Sequence, residues 1–131
     1  MKFRALVLGG LVAASTLAGT VTSPASAASY NGSCGSGYRV IDSAAVGSNA
    51  TMFLTYNNGW NCLVTIRNTK GTAHHMGAYL KRSSVESWQV KNEGNFTHFA
   101  GPIYLQAAGS CIDWAGADGT AYNAKYRTHC G

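Results

Sequence analysis

Apolar and polar side chains alternate along two neighbouring stretches of this chain. Over residues 51–56, Met52, Leu54 and Tyr56 share one face while Phe53 and Thr55 take the other. Over residues 62–67, Cys62, Val64 and Ile66 share a face opposite Leu63, Thr65 and Arg67. Between them, Asn57-Asn58-Gly59 supplies residues that tolerate positive φ, so the pair predicts a β-hairpin. Cys62 then stands beside Val64 and Ile66 on an apolar face, where a buried disulfide is expected. Residues 72–80, 85–90 and 96–105 are also β-prone, with less regular alternation. They are separated by the turn-like Lys81-Arg82-Ser83-Ser84 and Asn92-Glu93-Gly94-Asn95. Pro102 cannot donate a ladder hydrogen bond, so the third run is expected to break near it or to lie at a sheet edge. Short strands at 111–114 and 121–127 flank Gly116-Ala117-Asp118-Gly119. No apolar stripe of helical period persists for three turns. Seven or eight short strands with frequent turns predict an all-β domain, a small antiparallel β-sandwich or partly open barrel.

The first residues follow a different logic. Lys2 and Arg4 give a positive start, residues 5–14 are uncharged and mostly Ala, Leu, Val and Gly, and Ala25-Ser26-Ala27 offers a small-residue cleavage site. These are the parts of a secretory signal peptide, here residues 1–27. The apolar run is far short of the roughly 20 residues that span a bilayer, so no transmembrane anchor is expected. Residues 28–131 then form one extracellular β domain. Its charge is lower than that of the whole chain, because losing Lys2 and Arg4 leaves eight basic against five acidic residues.

A domain of this size buries only about two-thirds of its unfolded surface, so covalent support matters. Cys34, Cys62, Cys111 and Cys130 all lie beyond the signal peptide. An even number in an exported chain reads as two disulfides, with three pairings open to the sequence. Local closure favours Cys34–Cys62 and Cys111–Cys130, each tying down one end of the domain. Zinc is the competing use, but no two cysteines have the spacing of a structural site, and neither a metal nor another cofactor is expected.

The remaining chemistry is sparse. His74 and His75, if on a strand, point to opposite faces and do not readily share one metal. The five acids are Asp42, Glu86, Glu93, Asp113 and Asp118. A glycosidase needs two carboxylates about 5–9 Å apart across a cleft, and Asp42 with Asp113 is the pair to test, each embedded in a β-prone stretch. Trp114 beside Asp113 could grip a sugar ring. The plainer reading is that Asp42 starts a turn and Asp113 accepts hydrogen bonds or pairs with a basic residue. No Gly-x-Ser-x-Gly elbow and no phosphate-binding loop is present. At the end of the chain, residues 122–127 alternate so that Tyr122 and Tyr126 oppose Lys125 and Arg127. That strand could present a stacking surface and two cations to a partner, or simply a core face and a solvated one. A net charge of +3 is a small footprint for nucleic acid, so an anionic cell-envelope polymer is the better physical partner and no nucleic acid is expected.

Three blocks resemble a known family. They are the stretch from Cys34-Gly35-Ser36-Gly37-Tyr38 to Asp42-Ser43, then Leu54-Thr55-Tyr56-Asn57 with Asn61-Cys62-Leu63-Val64-Thr65-Ile66-Arg67-Asn68, then Ala100-Gly101-Pro102-Ile103-Tyr104 with Cys111-Ile112-Asp113-Trp114-Ala115-Gly116. All are similar to the spore-associated protein A family of actinomycetes. The resemblance implies a small exported protein found with spores or aerial growth, and supplies no catalytic residues. The expectation is a non-enzymatic surface protein that binds envelope polymers or other spore-surface proteins, with a hydrolase using Asp42 and Asp113 as the alternative.

Overall fold

The computed structural model describes residues 27–131. The expected signal peptide therefore lies outside the described residues, apart from Ala27. Eight strands follow in order: β1 (Arg39–Val46), β2 (Ala50–Asn57), β3 (Trp60–Arg67), β4 (His74–Arg82), β5 (Val90–Phe96), β6 (Phe99–Gln106), β7 (Ile112–Asp118) and β8 (Ala121–Thr128). They form two antiparallel four-stranded sheets, ordered β1-β2-β3-β6 and β5-β4-β7-β8. Neither sheet closes on itself, so the molecule is a sandwich. Among the described residues no helix is long and apolar enough to cross a membrane.

The 51–67 hairpin forms as its alternation requires. Asn57 pairs with Trp60, and the two residues between them, Asn58 and Gly59, both have positive φ, at 53° and 90°. A turn of that hand matches the twist of the flanking strands. The direction of the faces differs from the simplest reading, however. Met52, Leu54 and Leu63 enter the intersheet core with Met76, Leu80, Ile112 and Trp114. Phe53, Val64 and Ile66 lie on the outer side of the first sheet and are covered by Ala28, Tyr30 and Phe99. Both faces of β2 and β3 are thus buried, because the segment before β1 straps across them. Cys34 joins Cys62 beneath that strap, and both are buried. The strap is fastened further by Ala28 N–H donating to Asn68 Oδ1 at 2.9 Å and Tyr104 O–H donating to the Cys34 carbonyl at 2.9 Å.

At one point the sheets approach unusually closely. A Cβ on Gly116 of β7 would come within 2.7 Å of Thr65 Oγ1 and 3.0 Å of Val46 Cγ2, so only glycine fits there. Thr65 is fully buried, and among the described residues its hydroxyl has no hydrogen-bond partner. A buried, unsatisfied hydroxyl costs about 1–3 kcal/mol. Thr65→Val, which keeps the shape and removes the oxygen, should therefore raise the unfolding free energy by about 1 kcal/mol. A lower urea midpoint at unchanged slope would contradict this.

Candidate functional site

Asp113 shows what the sandwich does with a carboxylate. It sits on β7 directly opposite Lys81 of β4, and the Lys81 ammonium lies 2.7 Å from its Oδ2. Its Oδ1 accepts from the Ser83 hydroxyl at 2.5 Å and from the Arg127 backbone N–H at 2.8 Å. Burial pushes this carboxyl upward, but the hydrogen bonds from Lys81, Ser83 and the Arg127 amide, with the Lys81 charge, outweigh it and hold it below the usual carboxylate range. Lys81 also donates to the Val85 carbonyl at 2.6 Å, and its ammonium lies 5.8 Å from the centre of the Trp88 ring. A glycosidase acid must hold a proton near neutral pH and aim it at a leaving group. Asp113 is held ionised with both oxygens engaged, which suits a fastening group.

Asp42 sits on β1, just past a bulge between Val40 and Asp42, and accepts from the His129 ring at 2.9 Å. Its other oxygen accepts from the Ser43 amide at 2.8 Å. His74 and Asp118 form a further pair, 2.5 Å apart. Of the five acids, three therefore have cationic or imidazole partners inside the fold. Among the described residues, no three side chains of His, Cys, Asp and Glu gather into a metal-binding group.

Trp114, which its place beside Asp113 offers as a grip for a sugar ring, is fully buried in the intersheet core. Its indole N–H donates to Thr128 Oγ1 at 3.0 Å. It has no face for a ligand, because strand alternation turns it inward when its neighbour Asp113 turns outward.

Lys125 and Arg127 are both exposed on β8, an edge strand, and neither takes part in an ion pair among the described residues. Lys125 pairs opposite Trp114, so it leaves the strand on the core side and reaches water around the edge of the sandwich. Arg127 lies in a register shift between Ile112 and Trp114, with φ 54°. The bulge interrupts the period-two spacing and sets Arg127 beside a shallow depression lined by Ser83, Ser84, Ser110 and Cys111.

On the outer face of the same sheet, Tyr122 and Tyr126 are 54% and 60% exposed. Tyr79 lies beside Tyr122, with ring centres 5.8 Å from Trp88 and 6.3 Å from Tyr122, over a floor of Ala115, Ala117 and Ala124. Burial, and then the charge of the neighbouring Tyr126, push the Tyr122 phenol above its ordinary value, so it remains an uncharged hydroxyl. The result is an amphipathic strip with aromatic rings outward and two uncompensated cations at the edge. The sequence alone does not single out Trp88 or Tyr79 as site residues. Trp88 lies in the run 85–90 that reads as a strand but forms the connection between β4 and β5, and Tyr79 becomes legible only once β8 is placed beside β7.

Over 124 residues the chain is 44% identical to the Spore-associated protein A of Streptomyces coelicolor, an alignment covering 93% of this chain and 79% of that protein. No family profile matches the chain, and no solved structure matches it.

Proposed function

Because the chain belongs to the spore-associated protein A family, we propose that it is a secreted, non-enzymatic protein that attaches reversibly to the spore or cell surface by holding an anionic envelope polymer along β8. The observation that carries this reading is that, among the described residues, three carboxylates are engaged by partners of the same chain while two cations on one edge strand are not. Asp42, Asp113 and Asp118 are engaged by His129, Lys81 and His74, whereas Lys125 and Arg127 reach water from β8, the strand whose outer face carries the exposed Tyr122 and Tyr126. Two cations on a rigid edge can engage successive negative groups without a deep pocket. The tyrosines add amphipathic contact area at low conformational cost.

Such attachment is electrostatic and shallow, so it weakens with salt as the screening length falls to about 10 Å at 0.1 M. Exposed cations contribute about 0.2–1 kcal/mol each. The Lys125→Ala/Arg127→Ala variant should therefore sediment with purified envelopes roughly fivefold less than the native protein at low salt. The difference should vanish at moderate salt. Equal retention of two correctly folded proteins at low salt would remove β8 as the attachment site.

A further inference from the structure

One end of the sandwich holds a cavity of about 320 Å³, formed where β1, β3 and the tail after β8 come together. Its lining includes Arg39, Ile41, Tyr56, Asn61, Ala107, Ala108, His129 and Gly131. The cavity continues the core by register. Along β2 and β3 the core-facing rungs run Met52 opposite Thr65, then Leu54 opposite Leu63, then Tyr56 opposite Asn61. The last rung is polar, and it is the one that lines the cavity.

Asn61 is only 4% exposed. Its amide nitrogen reaches the Thr55 carbonyl at 3.5 Å, the outer limit of a hydrogen bond, and its carbonyl oxygen has no hydrogen-bond partner among the described residues. That oxygen is not sealed from solvent, so it stands as an acceptor open to whatever enters the cavity. Arg39 stands at the rim with its guanidinium carbon 5.9 Å from the Tyr56 ring centre, and it pairs with no carboxylate of the described chain. The opposite wall is the tail. Arg127 and His129, both at positive φ, turn the chain back, His129 is fixed on Asp42, and Cys130 is anchored to Cys111. The second disulfide thus holds a wall of the cavity in place.

We propose that this cavity binds the terminal carboxylate of a short peptide with small side chains. Arg39 supplies a planar fork of donors matched to a carboxylate. The Asn61 carbonyl supplies the acceptor for the amide N–H next to such a terminus. Ile41 and Ala107 leave room for a methyl group. The volume lies at the lower end of the range for small-molecule sites, about 300–1,000 Å³.

The test is a titration of the 15N-labelled, oxidised protein with N-acetyl-alanyl-alanine, with its C-terminal amide, and with inorganic phosphate. The free acid should give saturable shifts at Arg39, at the Asn61 side chain and at His129. The amide should bind at least about tenfold more weakly, because it loses the charged, bidentate contact. Arg39→Gln should weaken the acid to a similar degree, and Ala108→Trp, at the rim, should block it without changing charge. The Lys125→Ala variant, whose substitution lies outside the tail wall, should titrate like the native protein, which separates this site from attachment along β8. Equal binding of acid and amide, phosphate binding as well as the acid, or shifts that do not involve the cavity would each overturn the proposal. If either cavity variant fails to fold, the acid, amide and phosphate series on the native protein decides the matter alone.

Discussion

Lys81→Met should lower the unfolding free energy by about 3–5 kcal/mol, the scale for breaking a buried ion pair on one side. Lys81 and Asp113 are 8% and 3% exposed, and they oppose each other on the outer side of the second sheet. Removing the ammonium leaves a buried carboxylate with only the Ser83 hydroxyl and the Arg127 amide to solvate it. That loss is a large part of the roughly 5–15 kcal/mol available to a domain. Lys81→Met/Asp113→Asn should recover much of it, because asparagine keeps an acceptor for Ser83 and Arg127 and carries no charge. The pH dependence fixes the sign independently. A carboxyl held below its unfolded value of about 3.9 stabilises the fold above that pH, and the contribution is lost as pH falls through the folded value. Urea unfolding from neutral pH to below pH 4 should therefore show a flatter acid limb in the double variant. Equal destabilisation in the single and double variants, with unchanged acid limbs, would show that the pair is not coupled.

Which parts of this molecule could be read from the chain depends on how local their causes are. The 51–67 hairpin was legible because alternation and an Asn-Gly turn are both local, and both survive in the fold. Around residues 83–96 strand and turn were exchanged. Residues 85–90 read as a strand and Asn92-Glu93-Gly94-Asn95 as a turn, yet β5 runs from Val90 to Phe96 and the chain reverses at Thr97-His98. Pairing with β4, from Leu80 opposite Val90 to His74 opposite Phe96, overrides the weak strand propensity of Asn, Glu and Gly. Pro102 fares better, since β6 is an edge strand with a register shift where Leu63 and Thr65 meet it. β1 was visible only as the β-prone Val40-Ile41-Asp42, because Ser43-Ala44-Ala45 carries too little apolar contrast to show a face. The cavity was illegible for a different reason. Arg39, Asn61 and His129 are far apart in sequence, and only the sheet order and the second disulfide bring them to one end.

The same distinction between local and long-range causes governs the first disulfide. Cys34→Ala/Cys62→Ala should cost about 3–4 kcal/mol from loop closure alone, and more from the lost packing of two buried sulfurs. The sequence separation of 28 puts the closed loop in the range where the entropy change is large. The bond also pins the strap that covers Phe53, Val64 and Ile66, and the strap's other side-chain hydrogen bonds to the sheet are at Asn68 and Tyr104. Its release would uncover an apolar strip on β2 and β3 while the intersheet core, on the opposite face of the same strands, remains packed. Below its lowered melting temperature the variant should therefore bind a hydrophobic dye, and amide protection should fall first over residues 28–38. Removing the second bond by Cys111→Ala/Cys130→Ala should behave differently. Cys130 is exposed and the closed segment is shorter, at a separation of 19. That variant should keep the strap protected and lose the tail wall of the end cavity. Hydrogen exchange on the two variants separates these effects. If the Cys34–Cys62 variant loses less than about 1 kcal/mol and protection over the strap is unchanged, hydrogen bonds and packing hold the strap without help from the bond.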